Sequence, residues 1–575
     1  MDICFFLILV LTYIVNTSLA VHFRVICSPS DYQGSGVTIY IDGNPQPMNS
    51  VNNDILYELD YDNIPNQYYY EITGTAQNEL NLFGSPREWD PNSSTTFYEV
   101  YGRRHSIGDP LIQTIPRLYP PLDGYNKYSI LFQEGEIPVI NVHMSDTSYN
   151  ELIALTSNSD VEFNVEFDLY TPYEKYHFTD ATFSLSGQGS RNQEKKPYKI
   201  DLSSNETNKL NSEIYNRKEF KLRSIRFDPS AIKNKLAGDI AESLGLPITQ
   251  STPCRLYINN KAHGLYELAD MYKKKFVRNF FNPEKNTDGY IYGSLYKGVS
   301  GKYPAYLYSD IGSSSLQNLY ESIIAPTNGY DPHQDITDMI KWLEALPENA
   351  SKEEIEKQFD IDMFLKYMII EYLICQWDGY IGNGNNFLIY IEPNNGKYHF
   401  FSYDFDITFG KWCEAKEGTF DDFVANIKPD GTYGGGPKRE PLLYSKIIKN
   451  PEINLLLNDL IKEIVSNLFN IQALGPRIDY FYEFLKDDLS WDLFSYDIME
   501  TQFFQGADKQ DRPTAEIINN QFTTDQGSPE NLKSFIRYKS ENVAKIYGIG
   551  NLQANGPYGT VGGKIMAVKK KDDDD

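Results

Sequence analysis

The sequence predicts an α+β protein in which a strand-rich half precedes a helix-rich half, with a cleft between them. Three observations carry that expectation. Up to about residue 330, short runs such as Val161 to Leu169 alternate apolar and polar residues and are separated by Gly, Pro and Asn. Beyond that point apolar residues recur at helical spacing, and helices are expected at 335–346, 352–358, 361–377, 451–469, 474–487 and 529–546. The 575 residues are 41% hydrophobic and 14% aromatic, enough to bury a substantial core.

Taken in order, residues 1–20 carry an apolar run that ends in Ser18-Leu19-Ala20 and read as a cleaved secretory signal. The mature chain is expected to be secreted or held at the cell surface without a membrane span, because the most apolar later stretch, Phe364 to Trp377, is interrupted by Lys366 and Glu371. Sequons at Asn92, Asn205 and Asn349 fit that route. Cys375 and Cys413 flank the most informative segment and are the candidate disulfide pair.

Residues 21–95 read as a small β-sandwich with a structural or adhesive role, offering a surface for a glycan or cell-surface partner. A Pro- and Gly-rich connector spans 96–135. The main domain runs from 136 to 547. In it, Ile232, Leu236, Ile240 and Leu244 define an amphipathic helix, and two runs from Arg255 to Leu268 form a hairpin. The remainder, 548–575, is expected to be a disordered charged tail.

The net charge of −26 excludes a nonspecific nucleic-acid binder, which needs clustered Lys and Arg. Seven His include no H-E-x-x-H pair, and G-x-S-x-G is absent, so neither a zinc hydrolase nor a serine hydrolase is indicated.

The segment from Phe364 to Gly410 carries the chemistry. An apolar helix ends at Trp377-Asp378-Gly379, a polar loop leads to Asn385-Asn386 and a strand, and a second strand runs into Asp404-Phe405-Asp406. Asp378, Asn386 and Asp404 are thereby placed at adjacent ends of a helix and a hairpin. Phosphoryl transfer needs such a set: an acid for the acceptor proton, and an amide and a second acid for the cations that bridge the phosphates.

These residues resemble the CotH kinase family of spore-coat and fungal surface proteins, an atypical branch of the protein-kinase-like fold. The resemblance rests on Gly187-Gln-Gly-Ser-Arg191 with Lys195 to Lys199, on Phe220-Lys-Leu-Arg223, and on Asp228 to Leu236. It rests further on Tyr257-Ile-Asn259, Ser294-Leu-Tyr-Lys297, Trp377-Asp378-Gly, Asn385-Asn386 and Tyr403-Asp404-Phe-Asp406.

It implies a bilobal fold with a strand-rich first lobe and a helical second lobe, and an ATP-dependent protein kinase acting on Ser or Thr of secreted or surface proteins with Mg²⁺ or Mn²⁺. Asp378 would be the catalytic acid, and Asn385 or Asn386 with Asp404 and Asp406 would hold metal. Gly187, Gly189, Arg191, Lys196 and Lys199 would cradle phosphate, with Asp270 near the adenine hinge. Asp239 and Glu242 both remain open as the acid facing the phosphate-binding lysine. The alternative is a non-catalytic surface adhesin, invasin or scaffold that keeps the fold as a binding platform.

Overall fold

A computed structural model describes residues 20–155, 160–187, 189–203, 212–301, 303–310, 313–326, 331–427, 439–500, 512–523 and 528–563. Residues 1–19 of the expected signal at 1–20, the sequon at Asn205 and the charged tail beyond 563 lie outside these residues. Asn92 and Asn349 are exposed, and no helix among the described residues is long and apolar enough to cross a membrane.

The N-terminal segment folds as two four-stranded sheets. Strand Val21–Ile26 lies in one and Gly36–Ile41 in the other, and alternate residues such as Phe23, Val25, Ile39 and Tyr70 fill the space between them. This unit extends to Glu99–Val100, slightly past the expected boundary at 95, because that short strand adds to Val21–Ile26 in parallel.

The first lobe of the main domain is a closed seven-stranded barrel. Its strands are β1 (Val139–His143), β2 (Glu162–Tyr170), β3 (Lys175–Leu185), β4 (Tyr198–Asp201), β5 (Glu219–Arg223), β6 (Ser251–Ile258) and β7 (Lys261–Ala269). The order around the barrel is β1-β2-β3-β4-β5-β7-β6, and β6 closes onto β1 in parallel while the other pairs are antiparallel. Inward-facing Phe167, Phe183, Ile200, Phe220, Leu222 and Leu268 pack its interior. Helix α1 (Lys233–Ser243) follows β5 and buries Leu236, Ala237 and Ile240 on the side of the second lobe.

The second lobe carries an antiparallel sheet in the order β9-β8-β10-β11, made of β8 (Ser294–Gly298), β9 (Tyr320–Ile324), β10 (Phe387–Ile391) and β11 (Tyr398–Ser402). It packs on α2 (Ile361–Ile374), which is buried almost all round, as an apolar helix must be. The helices that precede α2 in this lobe include Gln334–Ala345 and Lys352–Glu356, and those that follow it include α3 (Pro451–Asn467), α4 (Ile471–Glu500), α5 (Ala515–Thr523) and α6 (Leu532–Tyr547).

Four expectations differ from the structure. Helix α2 stops at Ile374, three residues early, because Cys375 adopts a left-handed φ of 54°. Helix α4 is twice as long as expected: Asn470 accepts the Ala473 N–H as an N-cap, and the far end is held on the barrel by a tilted ring contact of Trp491 with Tyr257 and by the buried Lys195–Asp492 ion pair. Helix α5 was not anticipated. Residues 548–563 are not a free tail, since Thr560–Val561 pairs with the connector strand Ile115–Pro116.

Candidate functional site

A cavity of about 1110 Å³ lies between barrel and second lobe, lined by residues of β5, α1, the segment 377–407 and Trp412. Behind its second-lobe wall lies Glu371 on α2, which holds the lining loop in place without lining the cavity itself. This fully buried carboxylate accepts the backbone N–H groups of Tyr380 and Ile381 at 3.2 and 3.0 Å and the Ser402 hydroxyl at 2.7 Å, and so fixes the loop after α2 against β11. A Cβ at Gly379 would come within 2.8 Å of Glu371, which accounts for the glycine after Asp378. Burial pushes the Glu371 carboxyl up to about 7.

Three asparagine amides hold the Asp378 carboxylate. Asn383 donates to Oδ1, and Asn385 and Asn386 donate to Oδ2 at 3.1 and 3.0 Å, with Asn386 also reaching the Asp378 carbonyl at 3.1 Å. Asn386 and Asp404 both take left-handed backbone conformations, at φ 51° and 63°, which Asn and Asp tolerate better than other residues. Gln376 steadies the second of these turns by donating to the carbonyls of Tyr403 and Asp404 at 3.1 and 3.2 Å. A disulfide between Cys375 and Cys413 ties the two ends of this stretch together.

The opposite wall is basic. Arg223 at the end of β5 pairs with Asp404, approaches Asp406 at 3.6 Å and contacts Glu267 on β7 at 3.1 Å. Glu267 also takes both hydrogen bonds of the Asn234 amide, and Asn234 Oδ1 accepts the Phe405 N–H at 3.0 Å, so α1 is stitched to the acidic turn. Lys221 lies two residues back on the same face of β5. Its amine is pushed down to about 8 by burial and by the charges of Lys297 and Arg223. Burial works against the charge on Asp404, but Arg223 outweighs it and holds this carboxyl below its usual range. Asp406, buried beside the Asp404 charge, is pushed well up. The two carboxyls are thus driven apart, Asp404 toward its ionised form and Asp406 toward its protonated form.

Residues 183–543, more than half of the chain, match the family model described as CotH kinase protein. The chain belongs to the CotH kinase family. It is 29% identical over 439 residues to Invasin CotH3 of Rhizopus delemar, covering 74% of this chain and 68% of that protein. It is 27% identical over 449 residues to Invasin CotH2 of the same organism, covering 74% and 70%. It is 23% identical over 307 residues to Inner spore coat protein H of Bacillus subtilis, covering 53% and 76%. Among solved structures, the Helicobacter pylori proinflammatory kinase CtkA aligns at a TM-score of 0.18 and 11% identity, covering 58% of this chain and 88% of that one.

Within this CotH kinase domain, Asp378, Asn385, Asn386, Asp404 and Asp406 all line the one cavity, joined there by Gly187 from the β3–β4 turn and by Asp270. Asp270 is held by Arg217 through bonds of 2.7 to 2.9 Å. The basic residues expected to cradle phosphate lie elsewhere. Arg191 pairs with Asp160, and the Lys196 amine donates to the carbonyls of Leu155 and Arg191. Lys199 lies on β4, registered against Lys221 but one strand further out, near Glu162 and Asp201. Gly189 opens a short 3-10 turn whose next residue, Ser190, lines the cavity. Asp239 and Glu242, left open as partner acids, are taken by Arg477 and Arg117, and Glu267 occupies the position facing the cleft cations.

Lys221, Arg223, Asn234 and Glu267 are the site residues that the sequence reading did not assign. A signal for the first two existed. In Glu219-Phe-Lys-Leu-Arg223 the two apolar residues face the barrel core, so the intervening basic residues must share the outer face.

Proposed function

We propose that this protein is a secreted kinase that transfers the γ-phosphoryl group of ATP to Ser or Thr hydroxyls of secreted or surface proteins, with Mg²⁺ or Mn²⁺. The observation that carries the proposal is the meeting of Asp378, Asn386, Asp404 and Asp406 in one cavity across from Lys221 and Arg223. The donor set fits the cofactors: Asn386, Asp404 and Asp406 offer hard oxygens suited to Mg²⁺ or Mn²⁺, and the basic wall suits a triphosphate. Bound there, the cations would neutralise charge on the transferring phosphoryl group.

The protein's own groups do the rest. The three amides around Asp378 fix the direction of its carboxylate, as a group that takes up the acceptor hydroxyl proton requires. Lys221, with its amine held near 8, and Arg223 orient the phosphates. The Cys375–Cys413 disulfide supports an oxidising, secretory destination.

The second reading, a surface binding protein on the same fold, is favoured by the printed names of two fungal relatives, both invasins. Incorporation of labelled phosphate from ATP into the protein itself or a Ser/Thr-rich substrate separates the two. Transfer that persists in Asp404→Ala would reject the roles assigned here, and its absence under all metal conditions would favour the binding protein.

A further inference from the structure

We propose that the seam between the N-terminal sandwich and the barrel holds a second, structural cation site, taking Zn²⁺ through Asp54, His143 and Asp168. Asp54 belongs to the sandwich, whereas His143 and Asp168 lie on the neighbouring strands β1 and β2, Asp168 registered against Asn141 and His143 two residues further along against Glu166. The ligand atoms converge, all within 4.8 Å of one another. His143 Nε2 lies 3.1 Å from Asp168 Oδ2 and 3.8 Å from Asp54 Oδ2. A tetrahedral ion bound at about 2.0 to 2.1 Å holds its ligand atoms about 3.3 Å apart, between these two values.

The outer atoms of both carboxylates are already held by other groups. Asp54 Oδ1 accepts the Asn141 amide at 2.6 Å and the Ile55 N–H at 2.7 Å, while Asp168 Oδ1 faces His177 at 3.1 Å and Lys175 at 3.4 Å. Both Oδ2 atoms are thereby turned toward the imidazole, with the Tyr170 hydroxyl donating to that of Asp54 at 3.3 Å. Such outer hydrogen bonds orient metal ligands in general. An imidazole beside two carboxylates suits zinc better than calcium, which prefers oxygen donors alone. The His143 side chain is 30% exposed, which gives an ion a path in. A cation here would cross-link the sandwich to the barrel, and the site is independent of the kinase cleft.

The test uses the full chain, stripped with chelator, in an Asp404→Ala background that disables the cleft's metal ligands. Titration with Co²⁺ should give one visible-absorbing ion per chain, displaced by Zn²⁺, and Zn²⁺ should raise the melting temperature. His143→Gln should weaken binding at least about 100-fold and Asn141→Leu about 10-fold, as loss of a ligand and of an outer-shell partner should. X-ray absorption on the bound Zn²⁺ needs no seam variant and should show one imidazole nitrogen with carboxylate oxygens. Absence of stoichiometric binding, an all-oxygen shell, or binding that survives His143→Gln in a folded protein would overturn the proposal.

Discussion

Arg223 and Asp404 form an ion pair across the cleft, joining the end of a barrel strand to the acidic turn of the second lobe. The same guanidinium is near Asp406 and Glu267, so one cation faces three carboxyl groups. The proposed metal site thus has a built-in counter-charge, and removing it should be felt most when no cation is bound.

Arg223→Met should therefore lower the stability of the metal-free protein by about 3 kcal/mol, the range seen when one partner of a buried pair is deleted. Mn²⁺ with ATP should restore a larger share of melting temperature in the variant than in the parent. Equal thermal shifts in both would contradict the counter-charge role.

Glu371 sets a pH dependence. Its carboxyl is pushed up to about 7 by burial, so between about 4.5 and 7 the folded state binds more proton than the unfolded one. The contribution is full below the lower value and is lost as pH rises through 7. Glu371→Gln should remove that slope in urea unfolding. At pH 8 it should also cost about 1 to 3 kcal/mol, because an amide NH₂ then faces backbone donors.

The Cys375–Cys413 bond closes a loop of 38 residues that contains Asp378, Asn386 and Asp404. Chain entropy values such a link at about 4 kcal/mol. Cys413→Ser should lower unfolding free energy on that order and reduce phosphate transfer together with it. Full activity in a reduced, folded protein would show that the loop needs no such tether.

Lys539 on α6 is fully buried, its Nζ has no hydrogen-bond partner among the described residues, and it lies 4.0 Å from the Tyr372 ring centre. Burial pushes its amine down to about 7 from 10.5. The unfolded state therefore binds more proton between those values, and stability rises with pH across that window and is lost as pH falls through 7. Lys539→Met should stabilise the fold by about 1 to 4 kcal/mol at pH 7 or below and flatten the profile. Unchanged pH dependence would mean that the amine stays charged.

How much of this was legible in the sequence depends on what each residue needs from distant chain. The strand expected from Val161 to Leu169 is observed as Glu162–Tyr170, because alternation alone decides which residues face inward. Asp378 and Asp404 were legible for a similar reason: each follows an apolar element directly and must lie at its end. Lys221 and Arg223 were not, since their position depends on β5 lying beside β7 at the barrel rim, a pairing between residues 221 and 269 that no local pattern announces. Helix α5, Ala515–Thr523, contains two Asn and a Thr and has weak intrinsic propensity; Ile518 and Phe522 hold it by burial.

The central claim is that Asp404 and the β5 cations, not Lys199 of β4, form the ATP and metal site. Calorimetric titration of ATP with Mn²⁺ into parent, Asp404→Asn and Lys199→Gln proteins tests it most directly. Asp404→Asn should weaken binding at least about 100-fold, as loss of a metal-holding charge does, and Lys199→Gln should leave it unchanged. Undiminished binding in Asp404→Asn, or a loss in Lys199→Gln as large as the one expected there, would contradict the account.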